Sequence, residues 1–264
     1  RVWDASQRLV AVRAWTPGNN PSIPWINDAL MEAARLLDGL PSSFTRNTRG
    51  NFKTHWFALH RGSQTAPRLS SYYLEHRDTA DAVREILEGV RQYCGRIFRN
   101  EAPMLYGRYT EAMDWIERKT GCEALFYPFA SFAFNIGDVS CRRHVDFFNL
   151  GPGWCMIVPF GDFDHKRDCR LVVEELGLEF EVAAGVPIWI PSATFHHYNT
   201  LLLSLGVRYS FTAWTSGSLF QWRDLNGRAV NQLSAAERRE YLASLADRLI
   251  EGMRMFPLRR GPSN

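Results

Sequence analysis

The chain of 264 residues contains no apolar run of about 18 residues, so no membrane-spanning helix is expected. Cysteine is sparse: five residues, an odd number, with no C-x-x-C. That argues against a disulfide framework and for a reducing, intracellular setting. There is no internal repeat, no low-complexity tract and no exposed heptad stripe, so a monomer is expected. No signal-peptide pattern follows the first residue, Arg1, and the chain is expected to be a piece of a longer one. Acidic residues are missing from the whole of 41–74, which carries Arg46, Arg49, Lys53, Arg61 and Arg68. The net charge of +3 is too small to demand a polyanionic partner. The local basic run could track phosphates, or it could be a solvated face.

What is present is an aromatic-rich globular composition, 13% Phe, Trp and Tyr, which suits a β-heavy core. Residues 7–15 partly alternate and read as a strand. Residues 17–24 read as a turn region rich in Pro, Asn and Gly. Helices are expected at 25–40, 79–98 and 103–119, from apolar residues at helical spacing. After Gly121 the pattern changes to short aromatic and β-branched runs at 126–136, 139–147, 154–160, 170–174, 178–182, 187–190, 194–200 and 207–214. Eight such runs with turn signals fit a jelly roll or cupin-like double-stranded β-helix. Ser234 and Glu237 make a capping box that opens a last helix to about 253. The tail 257–264 is expected to fray. The expected class is α+β. An N-terminal, mostly helical extension (1–121) and a C-terminal helix pack on a double-stranded β-helix core (122–264), as one integrated catalytic domain.

The chain is organised around C-R-R-H-V-D-F-F-N, residues 141–149. On a strand, His144 and Asp146 point the same way. A second histidine would complete a 2-His-1-carboxylate set for non-haem Fe(II). His196 and His197 follow about fifty residues later, and alternation turns only one of them inward. Arg208 lies further on, within V-R-Y-S-F-T, and shares a strand face with Ser210 and Thr212. A buried arginine requires a partner. That partner is either an acidic side chain or a ligand carboxylate gripped by a bidentate fork. Iron held by two histidines and an aspartate leaves positions for a 2-oxo acid and O2, with Arg208 placed for the far carboxylate of 2-oxoglutarate. Arg142 shares strand parity with His144 and is a candidate for the cavity rim. His55, His60, His76 and His165 carry no pattern and are expected to be non-functional. Cys141, Cys155 and Cys169 are expected to be small buried hydrophobes.

Several further motifs lie in the same half: Gly153-Trp154-Cys155, Gly161-Asp162-Phe163-Asp164, Ile190-Pro191-Ser192-Ala193, His197-Tyr198-Asn199 and Leu219-Phe220-x-Trp222. Together with His144-x-Asp146-x-x-Asn149 and Arg208-Tyr209-Ser210, they make 126–222 resemble the TET/JBP class of 2-oxoglutarate/Fe(II) dioxygenases. The TET-like enzymes of fungi are the nearest branch. These enzymes oxidise methyl groups of nucleic-acid bases. The resemblance implies His144, Asp146 and His197 as metal ligands and Arg208 with Ser210 at the co-substrate. It further implies Asn149 as a contact to the target base and Trp214 as the aromatic stacked on a flipped base. The chain departs from the class in having Arg167-Asp168-Cys169 where Gly-Gly-His is usual, and Ser216 where animal TET proteins have a base-touching histidine. The implied cofactors are Fe(II), 2-oxoglutarate and O2. The implied partner is double-stranded DNA in a nuclear setting, and the implied reaction converts 5-methylcytosine to 5-hydroxymethylcytosine and further products. Oxidation of N6-methyladenine or thymine by the same core, a protein or small-molecule hydroxylase, and a catalytically silent binding domain are the alternatives. A buried iron can reach a base only if the base is flipped out, and stacking on an aromatic is worth about 1–3 kcal/mol per base.

Overall fold

The structure is a computed structural model describing residues 1–16 and 21–259. Parts of the turn expected at 17–24 and of the tail expected at 257–264 lie outside the described residues. Strands β1 (Val2–Trp3) and β2 (Leu9–Arg13) come first, followed by helix α1 (Pro24–Leu36). Proline in the first turn of α1 needs no intrahelical donor, and Ile26, Leu30, Ala33 and Ala34 bury one stripe. The acid-free stretch forms strands β3 (Lys53–Phe57), β4 (Leu59–His60) and β5 (Arg68–Leu69) and opens helix α2 (Ser71–Glu75). Ser70 caps α2 by accepting from the Tyr73 amide.

One helix was expected over 79–98, but the chain makes two, α3 (Arg77–Ile86) and α4 (Glu88–Glu101). Leu87 breaks them apart with ψ near 3° while staying fully buried, and Gly89 follows with low helix propensity. Helix α5 (Pro103–Thr120) stops at Gly121, whose φ of 72° is the left-handed cap.

Strands β6 (Ser131–Ile136), β7 (Cys155–Asp162), β8 (Leu171–Val173), β9 (Leu178–Phe180), β10 (Ile188–Ile190), β11 (His197–Asn199) and β12 (Val207–Trp214) complete the core. Helices α6 (Gly217–Asp224), α7 (Ala235–Ala243) and α8 (Leu245–Arg254) close the chain. The capping box on Ser234 and Glu237 forms, yet the last helix divides at Ser244. There the Ser244 hydroxyl donates to the Tyr241 carbonyl, competing with the helical ladder.

Seven strands pair antiparallel in the order β1-β2-β10-β7-β12-β6-β3, and a second sheet runs β11-β8-β9. The protein is therefore α+β with a double-stranded β-helix core. The N-terminal part contributes three strands of the large sheet as well as helices. Along β12, Phe211 and Ala213 point to one face, where Phe211 packs on Phe126, Phe132 and Phe134 at ring separations of 4.9–5.8 Å. Arg208, Ser210 and Thr212 point to the other face, into a cavity of about 640 Å³. Residues of both sheets line it, so it lies between them. Gly161 sits opposite Arg208 in the β7–β12 register with φ 116°, and a Cβ there would lie 2.2 Å from the Val207 carbonyl oxygen. Only glycine fits. Gly161→Ala is expected to destabilise by about 2–4 kcal/mol, read by urea unfolding.

The expected strand at 139–147 does not form. Its backbone hydrogen bonds are divided among several partners: Val139 N donates to Arg208 O, Cys141 O accepts from Asn199 N, Arg142 N donates to Arg49 O, His144 and His197 exchange a pair, and Asp146 N donates to Ser192 O. The His144–His197 bridge and the hydrogen bond from Asn199 N to Cys141 O tie the segment to β11 before it turns out at residues 147–148.

His55, read as non-functional, is a core histidine, 1% exposed. Tyr72 donates its hydroxyl to Pro41 O, so His55 Nδ1 is the donor in the 2.7 Å contact with Tyr72. Burial, helped by Lys53, lowers its pKa to about 4. The unfolded chain binds a proton here below about pH 6.5, and the folded chain only near 4, so stability falls with pH across that window. The share of His55 is on the order of 3 kcal/mol. His55→Gln is expected to flatten the stability curve between about pH 6.5 and 4 in urea titrations.

Candidate active site

Two neighbouring segments bring the metal-donor candidates together. His144 stands on the bridge to β11, His197 opens β11, and Asp146 follows His144 by two residues. Their donor atoms all lie within 4.8 Å of one another. His144 Nδ1 donates to the Arg142 carbonyl at 2.7 Å and His197 Nδ1 to the Phe195 carbonyl at 3.0 Å. Each backbone contact fixes the tautomer and leaves Nε2 with its lone pair. Both Nε2 atoms face Asp146, at 3.8 Å from Oδ1 and 3.9 Å from Oδ2. Burial, then His197 and Arg49, push His144 down to about 4. Burial likewise lowers His197, against the pull of Asp146. Both imidazoles are therefore neutral at pH 7, the state a metal requires. His196 turns outward and pairs with Glu175 at 2.6 Å.

Arg208 is 3% exposed inside the cavity. Its Nη1 donates to Val139 O at 3.0 Å, and its Nε has no partner among the described residues. No carboxylate among the described residues pairs with it, and burial depresses its pKa. Its charge and one donor are left for a ligand. The only acid lining the cavity among the described residues is Asp146.

A polar chain that sequence reading missed joins the two ends of the site. Ser210, Asn135 and Thr54 stand opposite one another across β12, β6 and β3. Asn135 Nδ2 donates to Ser210 Oγ, and Thr54 Oγ1 donates to Asn135 Oδ1. Asn47 Nδ2 donates to Thr54 Oγ1, and Asn47 Oδ1 accepts from the Arg49 amide. The Arg49 guanidinium then reaches Asp146 Oδ1 at 2.5 Å. Arg49 was visible only as one cation of the basic stretch. The stretch itself is divided in role. Arg61 is buried and serves the fold, donating to Ser218 O, Gln64 O and Gln221 Oε1. Arg46 and Arg49 line the cavity.

Trp214, at the end of β12, is half-buried at the cavity wall and stacks on Trp56 with centroids 6.2 Å apart. Asn149 Nδ2 donates to Ser192 Oγ at 3.0 Å and reaches Asp146 Oδ2 at 3.4 Å. Its Oδ1 accepts no hydrogen bond among the described residues. Arg142 is exposed at the rim. Cys141, Cys155 and Cys169 also line the cavity, and burial raises all three thiols. The two departures noted in the sequence have structural uses. Asp168 accepts from Leu203 N, Ser204 N and Ser204 Oγ, pinning the loop before β12. Ser216 caps α6.

No family model and no curated protein matches the sequence. Solved structures do match. NgTET1 in complex with 5mC DNA aligns with a TM-score of 0.55 at 12% identity, covering 73% of this chain and 68% of that one. The viral collagen prolyl hydroxylase of Paramecium bursaria Chlorella virus-1, solved with 2OG, aligns at 0.44 and 12% identity, covering 80% and 98%. A prolyl-4-hydroxylase of Pseudomonas putida aligns at 0.39 and 10% identity, covering 78% and 91%. The likeness to NgTET1 is one of fold.

Proposed function

We propose that the protein is an Fe(II)- and 2-oxoglutarate-dependent dioxygenase that oxidises the methyl group of 5-methylcytosine in double-stranded DNA. One observation carries the chemistry. A single cavity holds a His-Asp-His donor set and a buried arginine whose Nε lacks a partner. His144, Asp146 and His197 hold the metal, and the Arg208 fork takes the far carboxylate of 2-oxoglutarate, with Ser210 beside it. Bound there, Fe(II) with 2-oxoglutarate and O2 supplies the oxidising power for a methyl C–H bond, and the co-substrate leaves as succinate and CO2.

The choice of a base as substrate rests on the mouth of the cavity. Trp214, backed by Trp56, offers a flat surface to an extruded base. The unused Oδ1 of Asn149 is an acceptor, which suits the exocyclic amino group of cytosine better than the carbonyl of thymine. Arg46 and Arg142 are placed to meet phosphates. The TET/JBP resemblance of the motifs, with the fungal TET-like branch nearest, and the fold shared with NgTET1 support the same reading.

Trp214→Ala is the test of the substrate class. Base oxidation is expected to fall more than tenfold while succinate formation falls far less. Equal falls in both would count against a stacked base.

A further inference from the structure

The turn after the donor pair holds two aromatic rings in water. Phe147 is 80% exposed and Phe148 85%. Their backbone is nonetheless pinned. Asn149 N donates to Asp146 O at 2.9 Å, Gly217 N to Phe148 O at 2.8 Å, and Leu150 N to Thr215 O at 3.1 Å. A turn needed only for the fold is served by polar residues or glycine. Adjacent exposed apolar rings beside a cavity mark contact with a partner.

The surroundings say which partner. Both rings lie at the rim of the cavity, together with Arg46, Arg142 and Arg143. Arg143 is paired with Glu174 at 2.7 Å. The side chains of Arg46 and Arg142 have no hydrogen-bond or ion-pair partner among the described residues. Free guanidinium groups framing an apolar pair complement a duplex nucleic acid, whose phosphates flank a stack of apolar base faces.

We infer that Phe147 and Phe148 are a wedge that enters the base stack of the duplex where the target base has left it. The inference rests on the base-oxidising function proposed above and adds residues that drive extrusion. Pulling a base out costs stacking on both sides of the gap, and an inserted apolar side chain replaces part of it. Phe147 directly follows Asp146. Wedge and metal donors therefore share one short segment, and insertion sets where the extruded base arrives.

The test compares one modified base in duplex and in single-stranded oligonucleotides, because only a duplex needs the wedge. For Phe147→Ala/Phe148→Ala, the ratio of duplex to single-strand oxidation rate is expected to fall at least tenfold against the parent protein. The Phe147→Leu/Phe148→Leu variant is expected to recover most of it. A second readout needs no turnover. A duplex with 2-aminopurine beside the target should brighten when the parent protein binds, and at least half of that gain should vanish in the double alanine variant. Thermal melting of each variant checks folding, and both rings are exposed enough for melting to stay at the parent value. An unchanged rate ratio with unchanged 2-aminopurine brightening overturns the wedge and leaves base oxidation standing. Succinate formation by the parent protein with no base oxidised in either oligonucleotide overturns both, and points the exposed rings to a protein partner.

Discussion

Replacing Arg208 with Met is expected to abolish useful 2-oxoglutarate binding while leaving the metal-free protein at least as stable as before. The guanidinium is buried and its Nε is without a partner among the described residues. Its burial raises the free energy of the empty fold, and a methionine of similar shape does not pay that cost. In the proposed function co-substrate binding depends on that same charge, since a bidentate contact to a carboxylate in a closed cavity is worth about 2–5 kcal/mol. The dissociation constant for 2-oxoglutarate should therefore rise by roughly 30-fold to 5,000-fold. Calorimetric titration with Mn(II) in place of iron checks the first half, and urea unfolding without metal checks the second. Unchanged affinity would show that the orphaned Nε serves something other than a carboxylate.

The other large effect is expected from Asp146→Ala. The donors His144 Nε2 and His197 Nε2 then face an alanine, and two neutral imidazoles hold a divalent metal far more weakly than two imidazoles and a carboxylate. Stoichiometric iron after anaerobic loading should be lost, and oxidation should drop by about a thousandfold or more. Folding should suffer little, because the Arg49 partner is half exposed and such pairs contribute about 0–1 kcal/mol. In the proposed function, iron binding by the unsubstituted protein has its own acid limit. The His144 pKa is lowered to about 4, so its lone pair stays available below the pH at which an ordinary histidine protonates. Burial lowers His197 as well, so metal binding should persist below the pH at which an ordinary histidine protonates and be lost in stronger acid. Loss already near pH 6.5 would contradict the burial of His144.

Much of this was legible in the sequence. The eight-residue strand β12 shows its face assignment through strict alternation, so Arg208, Ser210 and Thr212 could be placed together. Helix α5 was legible because Pro103 and Gly121 mark its ends. The segment 139–147 was not. Its composition suits a strand, but its hydrogen bonds are divided among Arg208, Asn199, Arg49, His197 and Ser192, and local pattern carries no trace of such divided pairing. The contact of Arg49 with Asp146 joins residues 97 positions apart and depends on β3 joining the large sheet. Nothing near Arg49 distinguishes it from Arg61, which ended up buried in the fold. The break at Leu87 also escaped, because the apolar stripe of α3 continues into α4.

One measurement bears most directly on the central claim. The protein is incubated with Fe(II), ascorbate and 2-oxoglutarate and with duplexes carrying 5-methylcytosine, N6-methyladenine or thymine, and the digested nucleosides are read by mass spectrometry. The expected result is 5-hydroxymethylcytosine that vanishes in His144→Ala. Succinate formation with no oxidised nucleoside would contradict it.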